Sequence, residues 1–377
     1  MRLSAAVATA AEPIRRRSIA STSVPKHVAE IDGLRALAIW MVFGGHLLAP
    51  YRSAPVNRAM HAVFVAADHG WLGVDLFFVL SGFLITGILL KTRGRTVGAY
   101  FKQFYVRRAA RILPLYFLVL FVLVIVYHDR YLVYFSFCAL MSANLAQLFP
   151  VKIPDAAGPF WSLAVEEQFY LLGPWLVLWF SGRSLMLGTI ALLAIEPILR
   201  ALVPAPNLIL PWFRCDGLAM GALVAIWFVS WNGDRARART FALTLLGVAV
   251  AVTAAGLPFG VLHDGTAGTA LRITQAVLLF GAALVAAVAF SGHPRLSFLR
   301  LPLLATTALF SYCLYLIHKP IIDAFDYLVG PMPWFDALAP LPAFLIRAVF
   351  AVGAAYALAA LSRKYVEAPF LRLAARQ

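Results

Sequence analysis

Charge is what this chain has least of. Only 13% of its 377 residues are Asp, Glu, Lys or Arg, about half of the roughly 25% usual in a soluble domain. With 62% hydrophobic residues, that deficit excludes an ordinary water-soluble enzyme. Acid is scarcer than base, 17 residues against 32. Cysteine is nearly missing: Cys138, Cys215 and Cys313 lie in or beside apolar runs, with neither metal nor disulfide spacing. No metal is therefore expected. No Gly/Ser-rich or Pro-rich linker divides the chain, and no fixed-period repeat or pair of matching broken helices of the transporter kind is visible. One domain follows.

What remains is a succession of apolar runs from residue 34 to 361, which predicts an all-α polytopic membrane protein. Candidate spans are 34–51, 71–91, 112–128, 161–181, 185–203, 216–231, 240–260, 273–291, 303–323 and 341–361, about ten helices in one bundle. Residues 131–149 form an eleventh run, and charge decides whether it crosses. With ten spans and the N-terminus inside, 22 of the 32 Lys and Arg residues fall on the cytoplasmic side and seven outside, while Arg35, Lys319 and Arg347 lie within spans. If 131–149 crossed, the bias would nearly vanish. The positive-inside rule thus predicts that 131–149 is interfacial or re-entrant and that both termini are cytoplasmic. Residues 1–29, with Arg15-Arg16-Arg17, read as a mobile basic arm, residues 30–370 as the membrane-embedded domain, and 371–377 as a cytoplasmic tail. The formal charge of +15 belongs to this membrane pattern, so lipid rather than nucleic acid is the expected surrounding.

Against that apolar background the ionisable residues stand out, because such groups in lipid are costly and usually functional. Between Leu34 and Pro50 only Arg35 and His46 interrupt the first run. Eleven residues apart, they return to within roughly 20° on a helix and are offset by roughly 16 Å along it. Spacing alone leaves His46 either a catalytic base or a structural histidine bonded to a neighbouring helix. Asp75, Glu166, Glu167, Arg214, Asp216 and His318 collect at similar depth on other spans. A carboxylate beside a histidine is the usual arrangement for removing a hydroxyl proton, with Asp75 or Glu166 as the orienting acid. Glu166 and Glu167 point about 100° apart, so at most one of the two faces the histidine, and Glu166 is favoured. The alternative for the group is a buried ion-pair network that orients helices. Trp161 and Tyr170 suit stacking on a sugar ring, although interfacial aromatics also anchor spans. A second cluster, Arg107, Arg108 and Arg111, has helical i+3 and i+4 spacing. It suits multidentate phosphate recognition or plain surface anchoring.

Several strings narrow these readings. Asp32-Gly-Leu-Arg-Ala with His46 eleven residues after the arginine resembles the first helix of the acyltransferase 3 family, integral-membrane O-acyltransferases of surface polysaccharides, peptidoglycan, nodulation factors and macrolides. Gly73-Val-Asp-Leu-Phe-Phe-Val-Leu-Ser-Gly-Phe-Leu-Ile, Phe104-Tyr-Val-Arg-Arg-Ala-Ala-Arg-Ile-Leu-Pro, Trp161-Ser-Leu-Ala-Val-Glu-Glu-Gln-Phe-Tyr and Ser311-Tyr-Cys-Leu-Tyr-Leu-Ile-His are similar to later family motifs, in family order. The resemblance covers about residues 30 to 370, without the extra-membrane hydrolase-like domain of some members. It implies a bacterial inner-membrane enzyme that takes an acyl group, commonly acetyl, from acyl-coenzyme A and passes it to a hydroxyl of a cell-surface glycan or similar acceptor. It implies His46 as base, Arg35 as its companion, and Arg107, Arg108 and Arg111 as the coenzyme A phosphate site. Trp161, Glu167, Arg214 and His318 are substrate-binding candidates by their placement on the spans. Gly44 and Gly45 replace the family's usual bulkier residues, which predicts a widened space around the imidazole. The competing class is a transporter or flippase for a glycan or lipid-linked substrate. Dependence on a proton gradient without coenzyme A consumption would mark it.

Overall fold

The computed structural model describes residues 27–51, 63, 67, 69–127, 131–203, 208–259 and 266–375. Most of the expected basic arm, residues 1–26, and the last two residues of the expected tail lie outside the described residues. Every described element is helical. The main helices are α1 (Ala29–Leu48), α2 (Gly73–Thr92), α3 (Val97–Tyr127), α4 (Leu132–Ala139), α5 (Phe160–Trp179) and α6 (Gly182–Ala201). They are followed by α7 (Cys215–Val229), α8 (Arg235–Gly256), α9 (Thr266–Ala289), α10 (Pro302–Leu328), α11 (Pro340–Ser362) and α12 (Ala368–Ala375).

All ten expected spans meet a helix, and among the described residues seven stretches are long and apolar enough to cross a membrane. An eighth is the pair Pro294–Arg300 and Pro302–Leu328, bent by 49°. The two remaining helices fall short for visible reasons. Helix α5 carries Glu166-Glu167-Gln168 in its second turn, and α7 has 15 residues, roughly 22 Å against the roughly 30 Å of a bilayer core. Residues 131–149 break into α4 and a 3-10 helix at Ala143–Leu148, with Met141 at φ 52° between them. Neither piece is long enough to cross, in keeping with the expected interfacial or re-entrant segment.

The bundle has two apolar cores, and α1 and α2 stand between them. Ile39, Val42 and Phe43 of α1 and Phe78 and Ile85 of α2 pack with α3, α5, α10 and α11. Ile31, Leu34 and Ala38 of α1 and Leu76, Val79, Leu80 and Phe83 of α2 pack with α7, α8 and α9. Both helices consequently bury residues on more than one side, while Ile88 near the end of α2 stays exposed. The outer helices present Leu, Val and Phe outward, as α3 does with Phe117, Leu118, Phe121, Val122, Ile125 and Val126. In a membrane chain these are lipid-facing. Helix α3 has 31 residues, roughly 46 Å, so it outruns the hydrocarbon and leaves room for its arginines at the rim.

Small residues let α2 and α7 approach at backbone contact. Gly217 and Gly221 are spaced i, i+4 on α7, and a Cβ at Gly221 would strike the carbonyl of Val79 and the backbone of Phe83. A Cβ at Gly82 would likewise strike the backbone of Leu218. This is the small-xxx-small packing that membrane helices use, where van der Waals contact replaces hydrophobic drive. Gly221→Ala is expected to lower stability by about 1–3 kcal/mol through overpacking. Thermal unfolding in detergent would check it, with Gly247→Ala, at a glycine whose added Cβ meets nothing within 4 Å, as the neutral comparison.

Candidate active site

The site is built on α1, α2, α3, α5 and α10. An open-mouthed cavity with about 810 Å³ of empty space lies among them. Its charged lining consists of Arg35 of α1, Arg108 and Arg111 of α3, and Glu166 and Glu167 of α5. Arg35 also bonds Asp32 one turn earlier at 2.8 Å. Arg108 lies over the rings of Tyr170, at 5.4 Å, and Phe104, at 6.0 Å, a cation–π seat for the guanidinium. Glu166 accepts hydrogen bonds from the hydroxyls of Ser81 and Tyr170. Glu166 and Glu167 therefore both border the cavity, despite pointing apart. Asp32 offsets Arg35, while the Arg108 and Arg111 guanidiniums are groups of the kind that receive phosphates.

Arg107 goes elsewhere. It lines a separate pocket with Arg95, Lys102, Gln103 and the end of α12, so the three arginines of the expected patch divide between two cavities.

Phe77 and Tyr315, whose rings meet edge-on at 5.5 Å, also line the main cavity. The Tyr315 hydroxyl is hydrogen-bonded to Ser162. Behind Tyr315 stands His318, with ring centroids 5.8 Å apart, and beyond it His46, at 5.0 Å from His318. His318 is fully buried and has Phe43 against its edge, whereas His46 is half-buried.

The backbone assigns the tautomers of this pair. The Nδ1 of His318 lies 2.7 Å from the carbonyl of Tyr315 and 3.2 Å from that of Leu314. Carbonyl oxygens only accept, so Nδ1 carries the proton and the Nε2 of neutral His318 carries a lone pair. The Nδ1 of His46 lies 2.9 Å from the carbonyl of Val42, which makes it a donor too, and 3.3 Å from His318 Nε2. Its N–H is shared between the two acceptors. In the neutral ring His46 Nε2 is then the unprotonated nitrogen, the atom that a base uses.

Asp75, a candidate orienting acid, is placed differently. It is fully buried and paired with Arg214 at 3.0 Å. Arg214 lies over Trp161, at 5.2 Å, with Trp71 and Phe78 each at 5.9 Å. Next to this pair, fully buried Arg200 of α6 bonds Asp216 at 2.7 Å, Glu196 at 3.3 Å and Thr274 of α9 at 2.7 Å. These residues form the helix-orienting ion network that was the alternative reading of the intramembrane charges, and Trp161 serves it by covering Arg214. Arg200 and Glu196 were not singled out in the sequence, although a charged i, i+4 pair inside an apolar run was the signal available. Among the described residues no group of three or more His, Cys, Asp or Glu side chains could hold a metal ion. Gly44 does leave room beside His46, since an added Cβ would meet nothing within 4 Å, but Gly45 has another use: a Cβ there would press on Ala67 and Gly70.

A helical membrane bundle with an arginine-lined cavity and a histidine pair next to its Tyr315 defines the class: an intramembrane protein equipped for group transfer. Comparison with known sequences makes the assignment particular. Residues 28–360 match the family described as an acyltransferase domain, and the chain belongs to this acyltransferase 3 family. It is 29% identical over 374 residues to the peptidoglycan O-acetyltransferase OatA of Listeria monocytogenes, covering 91% of this chain and 56% of that protein. It is 35% identical over 163 residues to the putative peptidoglycan O-acetyltransferase YrhL of Bacillus subtilis, covering 40% of this chain and 23% of that one. With the O-acetyltransferase OatA of Staphylococcus aureus identity is 28% over 225 residues, 56% of this chain and 32% of the relative. The chain thus spans about half, or less, of the curated relatives it matches. No solved structure matches it.

The buried ions give a direct stability test. Arg214→Met removes the partner of Asp75 and leaves a carboxylate alone in the interior, which costs about 3–5 kcal/mol. Thermal unfolding should show that loss, and Arg214→Met with Asp75→Leu should recover much of it.

Proposed function

We propose that this chain is an acyl-coenzyme A:hydroxyl O-acyltransferase of the bacterial cytoplasmic membrane, moving an acetyl group to a surface glycan such as peptidoglycan. The observation that carries the reading is the His46–His318 pair, in which His318 Nε2 accepts the His46 Nδ1–H and leaves His46 Nε2 as the basic atom. Family membership and the relatives' names support the acyl transfer and the glycan. The excess of positive residues in the connections supports cytoplasmic termini, with the mouth of the cavity on that side.

Arg35, Arg108 and Arg111 hold the phosphates of the donor at the cavity mouth. The acyl-pantetheine arm runs inward past Phe77 and Tyr315, and the roughly 16 Å between Arg35 and His46 along α1 suits so extended a ligand. His46 Nε2 takes the proton of the acceptor hydroxyl as its oxygen attacks the thioester carbonyl. The carbon–sulfur bond breaks, the new ester stays on the acceptor, and the thiolate leaves with the proton returned by the imidazolium. His318 does here what a carboxylate does elsewhere. It fixes the tautomer and accepts a stronger bond from His46 once that ring is positive. A neutral imidazole does this without bringing a second charge into the interior. Glu166, held by Ser81 and Tyr170, faces the donor side, and Arg35 beside it shares that task.

Two measurements test this. Purified protein in lipid vesicles, given acetyl-coenzyme A and peptidoglycan fragments, should release free thiol. His46→Ala should lower the rate at least about 100-fold, the usual contribution of a general base. His318→Phe, which keeps a ring but removes the acceptor, should lower kcat with little change in the donor KM. Activity retained in folded His46→Ala would refute the mechanism, and absence of thiol release by the wild type with any short acyl donor would refute the activity. Separately, Arg108→Met and Arg111→Met should each raise the donor KM roughly tenfold or more, the scale of a lost charge-assisted hydrogen bond, with kcat held. Arg107→Met, which faces the other pocket, should leave KM within twofold.

A further inference from the structure

His46 lies in the last turn of α1, where a helix runs out of its own donors. The final four carbonyls of any helix lack intrahelical partners. The N–H of Ala49 takes the carbonyl of Gly45. The carbonyl of His46 would need the N–H of residue 50, and residue 50 is Pro50, which has none. The His46 carbonyl therefore lacks the backbone N–H that the α-helical pattern would give it.

Arg347 of α11 fills the gap. It is 3% exposed, and its Nη1 donates to the carbonyl of His46 at 3.4 Å and to that of Leu47. The rest of the guanidinium grips Asp326, Nε to Oδ1 at 2.7 Å and Nη2 to Oδ2 at 2.6 Å. This is the bidentate fork that a carboxylate and an arginine form best. Asp326 sits on α10, eight residues beyond His318. A ring is thereby closed: His46 bonds His318 directly, and the His46 carbonyl is bonded through Arg347 and Asp326 to the same helix two turns on. Neither half of that ring can shift without the other.

We propose that Arg347, anchored by Asp326, is a positioning residue for His46. It holds the C-terminal turn of α1 at the distance and rotation that put His46 Nδ1 on His318 Nε2. A structural salt bridge would serve stability wherever its arginine pointed; this one spends its remaining donors on the backbone of the histidine itself. The kinetic part of the test rests on the proposed transfer reaction, and the spectroscopic part does not.

The test uses full-length protein labelled with ¹⁵N-histidine in lipid, comparing wild type, Arg347→Met, Arg347→Lys and Asp326→Asn, with His46→Ala to assign the His46 signals. Wild-type His46 should show the ¹⁵N shifts of a single Nδ1–H tautomer. Arg347→Met should give mixed tautomers and lower kcat by about 100-fold, as for a misplaced reacting group, with the donor KM unchanged. Arg347→Lys still reaches the carbonyls but cannot fork onto Asp326, and should fall between wild type and Arg347→Met in both readouts, as should Asp326→Asn. Should Arg347→Met fail to fold, the Lys and Asn variants decide. If the wild type transfers no acyl group, the tautomer signals still decide the positioning role while the functional reading falls. A folded variant that keeps the single tautomer overturns the proposal, as does one whose kcat stays within twofold of wild type.

Discussion

Every buried charge in this bundle has to find an opposite charge or a dipole, and that demand organises the helices. In an apolar interior an unpaired ion is too costly to keep, so helix contacts form where ions can meet. Arg200 ties α6 to Asp216 of α7 and Thr274 of α9. Arg214, at the start of α7, reaches Asp75 of α2. Glu30, at the start of α1, takes Ser291, the N–H of Gly292 and Arg300. Arg347 joins α11, α10 and α1. Most of these links reach α1 or α2, the two helices that stand between the apolar cores. The pair is thus buried by packing and registered by charge, and it carries Arg35, His46 and Ser81 of the candidate site.

Much of this was legible in the sequence, for a physical reason. A bilayer admits only helices of a fixed length as spans, so apolar runs reveal them. A charge within such a run reveals a buried partner without naming it. Arg35 and His46 stood out this way; Arg35 lines the cavity, whereas His46 lies beyond it against His318. The identity of partners was hidden, because it depends on which helices touch. Asp75 sits at the right depth to orient His46, yet Arg214 claims it, since a full opposite charge outcompetes a neutral ring for a buried carboxylate. His318 was visible as a polar residue deep in α10, but its role as hydrogen-bond acceptor required the carbonyls of Leu314 and Tyr315 to fix its tautomer. Spacing also failed to divide the arginines. Residues 107, 108 and 111 lie within about 100° of one another on a helix, and only the neighbouring rings of Phe104 and Tyr170, which seat Arg108, and the end of α12, which faces Arg107, separate their roles.

The arrangement also explains how one span can serve a charged ligand and a neutral base. Arg35 and His46 share α1, but Arg35 lines the cavity while the histidine pair lies behind Tyr315, which lines the cavity and meets His318. On the proposed reading the arginines that take the phosphates and the imidazole that takes the proton lie at different depths, roughly 16 Å apart along α1 for Arg35 and His46. That distance weakens the opposition of positive charge to proton uptake by a base. The histidines sit among Phe43, Tyr315 and backbone carbonyls, and Arg347, which bonds the His46 carbonyl, is itself paired with Asp326. On that reading only the narrow, uncharged end of the donor needs to pass Tyr315. The phosphates stay with Arg108 and Arg111, and the thioester alone meets His46. The separation of the cavity's arginines from the histidine pair is then a property of the fold, set by where α10 places Tyr315 relative to His318 three residues later.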